Sequence, residues 1–95
     1  MEIDHNYNDN LRRIVEMIAQ YNIFNAPISQ TSHLIRDIGI DSLSLVELVD
    51  DLEKEFNIKI SDADAASSAN FSTVQRLATF IDRKLKEKQA SDNPS

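Results

Sequence analysis

The chain contains a single glycine, Gly39, and only two prolines among its 95 residues. Tight β-hairpins depend on glycine-containing turns, so this scarcity leaves little turn chemistry for a sheet. Amphipathic helices joined by irregular connections need far less glycine. We therefore predict an all-α protein, and a chain of this length has room for one domain with a modest core.

Apolar residues recur at intervals of three and four in three segments, which predicts three main helices over residues 8–24, 42–56 and 73–88. Their predicted core faces comprise Leu11, Ile14, Val15, Ile18 and Tyr21, then Leu45, Leu48, Val49, Leu52 and Phe56, then Val74, Leu77, Ala78, Ile81 and Leu85. An Ala/Ser-rich segment, 61–70, predicts one further short helix. The result is a small helical bundle with a core of about residues 8–88 and flexible tails at 1–7 and 89–95.

Capping residues define several of the predicted helix ends. Asp41 is a good N-cap for the second helix, and Asn57 can adopt the left-handed conformation that ends it. Ser72 and Gln75 form a Ser-x-x-Gln capping box at the start of the third helix, with Phe71 placed for a hydrophobic staple.

The connection between the first two helices is long, at about 16 residues, and long connections in small domains are often functional. Its apolar residues are Leu34, Ile35, Ile38 and Ile40. We expect these side chains to hold the connection against the core.

The formal net charge is −6, from 16 acidic and 10 basic residues. Nucleic acid is therefore not an expected partner, because phosphate contacts need a basic surface. A protein partner with a basic surface is expected instead, since charge complementarity steers association. The charge could also serve solubility alone.

The chain has no cysteine, which excludes disulfides and thiolate metal sites. The spacing of its aspartates matches no dedicated calcium loop, so no metal site is predicted. No apolar run approaches the roughly 20 residues of a membrane span, and residues 1–10 resemble neither a secretory signal nor a transit peptide. These features predict a cytoplasmic monomer.

The second predicted helix carries apolar residues on the side opposite its core face. Leu43 and Val46 project there together with Glu47 and Asp50. One interpretation is that Leu43 packs under the preceding connection. The other is a docking face for a partner, with Leu43 and Val46 as apolar contacts and nearby acids, including Asp51, setting its charge.

Ser42 stands in the first turn of this helix. First-turn N–H groups lack helical partners and the dipole is positive there, so a phosphodiester on Ser42 would find favourable surroundings. Gly39 permits a positive-φ turn or a close backbone approach just upstream. Nucleophilic catalysis by Ser42 would need a general base, and only His5 and His33 are available. Without a glycine-rich oxyanion segment, we do not expect an enzyme.

The run Gly39-Ile40-Asp41-Ser42-Leu43, continuing through Val46-Glu47-Leu48, resembles the acyl carrier proteins. Further matching residues are Leu34 to Asp37, Leu52, Phe56, Ile58-Lys59-Ile60 and Phe71-Ser72-Thr73-Val74-Gln75. The resemblance implies a four-helix bundle whose short third helix lies at about residues 62–68.

The resemblance also implies a prosthetic group and a set of partners. A phosphopantetheinyl transferase would transfer 4'-phosphopantetheine from coenzyme A to Ser42, between Asp41 and Leu43. The terminal thiol would then hold acyl groups as thioesters. Acyl-transferring, synthase or ligase enzymes with basic docking surfaces would contact Leu43, Val46 and Glu47, and the apolar interior would shelter the acyl chain.

The pathway stays open between fatty-acid, polyketide and specialised lipid synthesis. Ser44, Asp50 and the segment 61–70 depart from the usual fatty-acid carrier pattern. These departures favour a carrier dedicated to one pathway. The alternatives are an aminoacyl or peptidyl carrier, which usually shows histidine where this chain has Asp41, and a helical adaptor without a prosthetic group.

Overall fold

The computed structural model describes residues 5–92, and side chains over residues 8–88. Within these residues the chain forms five helices, α1 (His5–Ala19), α2 (Ser42–Phe56), α3 (Asp62–Ala66), α4 (Ser68–Phe71) and α5 (Val74–Asp92). The extended pairing found in the same range is one isolated bridge between His33 and Thr73. The all-α prediction is confirmed, with three main helices and two short ones.

The core forms where the three main helices and the connection before α2 meet. Its buried apolar residues are Ile14, Ile18, Leu34, Ile38, Ile40, Leu48, Leu52, Phe56, Ile58, Ile60, Phe71, Val74, Leu77, Ala78, Phe80 and Ile81. The predicted core faces of all three helices contribute to it, with Leu11, Val15, Tyr21, Leu45, Val49 and Leu85 partly buried at its edge. The helical phases predicted from the sequence are therefore confirmed.

The ends of α2 lie where capping chemistry predicted them. The Asp41 carboxylate accepts a hydrogen bond from the Ser44 N–H, and Asn57 adopts the left-handed conformation (φ 54°, ψ 52°). The Asn57 N–H then bonds the Glu53 carbonyl, which completes the C-cap.

Helix α1 ends at Ala19, earlier than the predicted end at residue 24. After a tight last turn, the Asn22 side chain donates to the Ala26 carbonyl (2.7 Å) and accepts from the Ala26 N–H (3.2 Å). Asparagine competes with helices through such local bonds. This turn leaves Ile23 and Phe24 outside the helix.

Helical backbone extends into both segments predicted as tails, because α1 begins at His5 and α5 continues to Asp92. No glycine or proline follows Gly39 until Pro94, so nothing in the α5 sequence forces an end at residue 88. The remaining tail residues, 1–4 and 93–95, lie outside the described residues.

The predicted capping box of α5 is wrong, because Thr73 caps this helix instead of Ser72. Thr73 Oγ1 accepts from the Arg76 N–H (3.2 Å). The two N–H groups before Arg76 donate to carbonyls of the connection. Val74 N bonds Ser32 O (3.1 Å) and Gln75 N bonds Gln30 O (2.9 Å). These tertiary bonds set the start of α5 and fix the connection to it.

The short predicted helix forms as α3 and α4, separated by a break at Ser67 (φ −80°, ψ 121°). Ser61 caps α3 by accepting from the Asp64 N–H (3.0 Å). One expectation for the connection is wrong, because Ile35 is 55% exposed while its three apolar companions are buried. A helical turn beginning at His33 directs Ile35 away from the core.

Candidate functional site

Ser42 is the first residue of α2, and it is exposed. Its neighbour Asp41 is the N-cap, whose carboxylate accepts from the Ser44 N–H at 2.8 Å. The Asp41 carbonyl accepts from the Leu45 N–H, also at 2.8 Å. A phosphate on Ser42 would therefore share this helix N-terminus with the Asp41 carboxylate.

The same hydrogen bond stabilises the charged form of Asp41. The Ser44 N–H lowers the pKa of Asp41 below its ordinary value. Asp41 is thus an anion at neutral pH beside the Ser42 hydroxyl.

Gly39 fixes the backbone that leads into Ser42. Its φ is +87°, in the region that side chains other than glycine rarely adopt. A Cβ placed on Gly39 would lie 2.6 Å from Ile23 Cγ1 and 3.0 Å from Phe24 Cε2. The Gly39 N–H bonds the Ile35 carbonyl (3.1 Å), and the next residue, Ile40, is buried. Both predicted uses of this glycine, a positive φ and a close approach, occur together.

The outer face of α2 is open to solvent next to Ser42. Leu43 is 70% exposed and Val46 is 66% exposed. Packing of Leu43 under the connection is therefore wrong. Glu47 and Asp50 are exposed on the same side of the helix, and Asp50 pairs with Lys54 at 2.9 Å. The structure thus places an apolar and acidic surface beside the serine.

Asp51 differs from the other acids of the predicted docking face. It is half-buried, and its Oδ2 accepts a 2.6 Å hydrogen bond from the Tyr21 hydroxyl. This bond, then burial, then the charges of Asp51, Glu47 and Asp50 raise the pKa of Tyr21 to about 12. Asp51 joins α2 to the turn that follows α1. The sequence placed Tyr21 on a core face but gave no signal of this partner.

A second link between the first two helices lies at the far end of α2. Arg13 Nε donates to Glu55 Oε2 at 2.9 Å, and the guanidinium lies 4.5 Å from the centre of the Phe56 ring. Glu53, close by on α2, accepts from the Ile60 N–H at 2.7 Å. These contacts join the C-terminal end of α2 to α1 and to the segment that follows α2, whereas Ser42 at its N-terminal end is exposed.

The histidine weighed as a general base is engaged in the connection. His33 Nδ1 accepts from the Ile35 and Arg36 N–H groups (both 3.2 Å), and the His33 N–H donates to Asp37 Oδ2 (2.7 Å). His33 therefore caps a helical turn. The side chain of His5 lies outside the described ones. Among the described residues, no three His, Asp or Glu side chains gather as metal ligands.

An open apolar groove of about 260 Å³ lies between α2 and α3. Its lining residues are Leu45, Val46, Val49, Asp62, Ala65 and Ala66. The groove starts one helical turn from Ser42 and is lined mostly by apolar side chains. Over the described residues, no helix has the length and apolar character needed to cross a membrane.

Comparisons with known proteins agree with this geometry. The phosphopantetheine attachment site family matches residues 11–81. An acyl carrier protein of Thermotoga maritima is 43% identical over 58 residues, covering 61% of this chain and 68% of the relative. One from Cylindrotheca is 32% identical over 81 residues, covering 84% of this chain and 98% of the relative. A mitochondrial acyl carrier protein of Neurospora crassa is 42% identical over 55 residues, covering 56% of this chain and 41% of the longer relative.

Proposed function

Because this chain belongs to the acyl carrier protein family, whose domain is an attachment site for 4'-phosphopantetheine, we propose that Ser42 is the residue that bears the group. The observation that carries this proposal is an exposed serine hydroxyl at the first position of α2. A transferase can reach that oxygen without unfolding the helix. Ser44, the nearest other serine, is more buried and lies about 200° further around the helix axis.

The attachment step transfers the phosphopantetheinyl part of coenzyme A. A bond forms between Ser42 Oγ and phosphorus while the pyrophosphate linkage of coenzyme A breaks, and adenosine bisphosphate leaves. In this proposal a base of the transferase takes the hydroxyl proton, and His33 Nδ1 is already occupied within the connection. The chain is thus the substrate of this reaction and a carrier, not a catalyst.

The residues around Ser42 fit the bound group. The N-terminus of α2 offers its positive dipole to the phosphate, although Asp41 already uses one donor. When bound, the group supplies a thiol that holds an acyl chain as a thioester. The groove between α2 and α3 is open, apolar and about 260 Å³, which suits part of an aliphatic chain.

The proposed partners are the transferase and acyl-transferring, synthase or ligase enzymes. Their docking would use Leu43, Val46, Glu47 and Asp50, which lie exposed on one side of α2. Apolar contacts of this kind supply binding energy, while the acids favour a basic partner and set its orientation. Asp51 plays a smaller part, because Tyr21 already holds its carboxylate.

We also propose that the chain works in the cytoplasm and carries acyl groups of fatty-acid, polyketide or specialised lipid synthesis. The competing role is an aminoacyl or peptidyl carrier. A loading experiment separates them, in which phosphopantetheinylated protein is offered separately to an acyl-transferring enzyme and to an amino-acid-adenylating enzyme. Thioester formation with the acyl donor alone supports the proposal. Loading by the adenylating enzyme alone would reassign the carrier, and a Ser42→Ala variant that retains full function in its source cell would point to an adaptor.

A further inference from the structure

The large apolar side chains that are mostly exposed come from one stretch of the chain, residues 23–46. Among the described residues they are Ile23 (73% exposed), Phe24 (60%), Ile35 (55%), Leu43 (70%) and Val46 (66%). All five lie in the connection before α2 or in the first turns of α2. Scattered exposed apolar residues are ordinary, but a grouped set indicates an interaction surface.

Three of these residues lie in the connection around Gly39, and we call Ile23, Phe24 and Ile35 the loop patch. Ile23 Cγ1 and Phe24 Cε2 lie 2.6 Å and 3.0 Å from the place where a Gly39 Cβ would be. The Ile35 carbonyl accepts from the Gly39 N–H at 3.1 Å. The Ile23 and Phe24 side chains therefore lie together over Gly39, and Ile35 is joined to the same glycine through its backbone. More than half of each residue faces solvent.

The loop patch lies close to the reacting hydroxyl. Ser42 follows Gly39 by three positions, and three residues span at most about 11 Å. A standard protein interface buries about 800 Å² on each partner, equivalent to a disc of roughly 16 Å radius. An enzyme that docks around Ser42 is therefore large enough to reach Gly39 and the side chains packed on it.

The two sides of Ser42 differ in charge. Beyond the serine, α2 presents Glu47 and Asp50 together with its apolar residues. The loop patch contains no acid, and the carboxylate nearest to it in sequence, Asp37, is held by the His33 N–H at 2.7 Å. Association through the α2 side should weaken as salt increases, whereas association through the loop patch should not.

We propose that the loop patch is a second half of the docking surface for the phosphopantetheinyl transferase that modifies Ser42. It contacts an apolar area of that enzyme while Glu47 and Asp50 meet basic side chains. The inference rests on the proposed function, since it requires that Ser42 be modified. It adds a contact that is independent of charge and lies on the other side of the serine.

The test is the kcat/KM for phosphopantetheine transfer from coenzyme A by a broad-specificity transferase, measured at low and high salt. Phe24→Ser and Ile23→Ser should each lower kcat/KM at least about fivefold, mainly through KM, and by the same factor at both salt concentrations. Thr79→Ser, which shortens an exposed side chain on α5, is the control and should keep the parent rate. Ile35→Ser provides a third variant that leaves the Gly39 contacts with Ile23 and Phe24 in place, and thermal unfolding confirms that each variant is folded.

The outcomes are distinguishable. A modified parent with folded variants that all react within about twofold of it would overturn the loop-patch inference and leave the proposed function intact. An unmodified parent would contradict both. If sedimentation shows that the parent self-associates and the serine variants do not, while transfer rates are equal, the loop patch binds a second copy of the chain and the inference is wrong.

Discussion

The Tyr21 hydroxyl donates a 2.6 Å hydrogen bond to Asp51, which joins the turn after α1 to the middle of α2. We expect Tyr21→Phe to lower the free energy of unfolding by about 1 kcal/mol, since it removes one hydrogen bond to a charged group that water can still reach. Urea unfolding at pH 7 measures this loss. An unchanged free energy would show that the bond contributes nothing.

The same bond predicts a loss of stability at high pH. The folded protein raises the pKa of Tyr21 from its usual 10.0 to about 12, so it holds the hydroxyl proton more tightly than the unfolded chain does. The stabilisation is complete below pH 10 and is lost as the pH rises from 10 to about 12. Urea unfolding of the parent and of Tyr21→Phe across this range should show the two stabilities converging. A constant difference would contradict the assignment.

Gly39→Ala should destabilise the protein by about 1–3 kcal/mol, because alanine is strained at φ +87° and its Cβ would meet Ile23. The second variant, Ile23→Ala, removes the nearest contact but leaves the backbone strain. Thermal unfolding of both single variants and the double variant measures the coupling between them. We expect the double variant to recover part of the stability lost in Gly39→Ala. Strictly additive losses would mean that Ile23 makes no steric contact with the alanine at position 39.

Opposite faces of α2 should respond differently to truncation. Leu48 and Leu52 are fully buried, so Leu48→Ala or Leu52→Ala should cost roughly 2–5 kcal/mol. Leu43→Ala, the matched exposed change, should alter the free energy of unfolding by less than about 0.5 kcal/mol. Urea unfolding compares them directly. Equal losses would mean that the orientation of α2 in the bundle is wrong.

Glu47→Lys should slow modification of Ser42 and weaken binding to acyl-transferring partners, with little effect on stability. The new lysine would repel a basic partner, so the effect of the substitution on rate and binding should be smaller at high salt. Glu87→Lys makes the same charge change on α5, away from Ser42, and serves as the control. The rate of Ser42 modification is measured for both variants at two salt concentrations. An equal effect of both substitutions would indicate net charge and not a specific contact.

The parts of the fold that were predictable from the sequence are those that depend on local chemistry. Helix α2 is the clearest case, because Asp41 and Asn57 cap it and its apolar spacing defines a single core face. The start of α5 was not predictable, since the choice of Thr73 over Ser72 depends on backbone bonds to the carbonyls of Ser32 and Gln30, which are distant in sequence. The early end of α1 depends on the Asn22 turn, which the apolar periodicity continuing to Tyr21 concealed.

The candidate site was likewise predictable only in the part that depends on local sequence. Ser42, Leu43 and Val46 were identified from their positions at the start of α2 and outside its core face. The loop patch was not predicted, because residues 23 and 24 fall within the first helix predicted from the sequence and Ile35 was expected to lie against the core. The asparagine at position 22, just before the predicted end of that helix, was the available signal, since asparagine favours turns.

The central claim is that Ser42 carries the phosphopantetheine. The most direct measurement is the intact mass of the folded protein before and after incubation with coenzyme A and a phosphopantetheinyl transferase, with Ser42→Ala and Ser44→Ala treated alongside. The account predicts a gain of one phosphopantetheine in the parent and in Ser44→Ala, and none in Ser42→Ala. A gain that persists in Ser42→Ala, or no gain in folded parent protein, would contradict it.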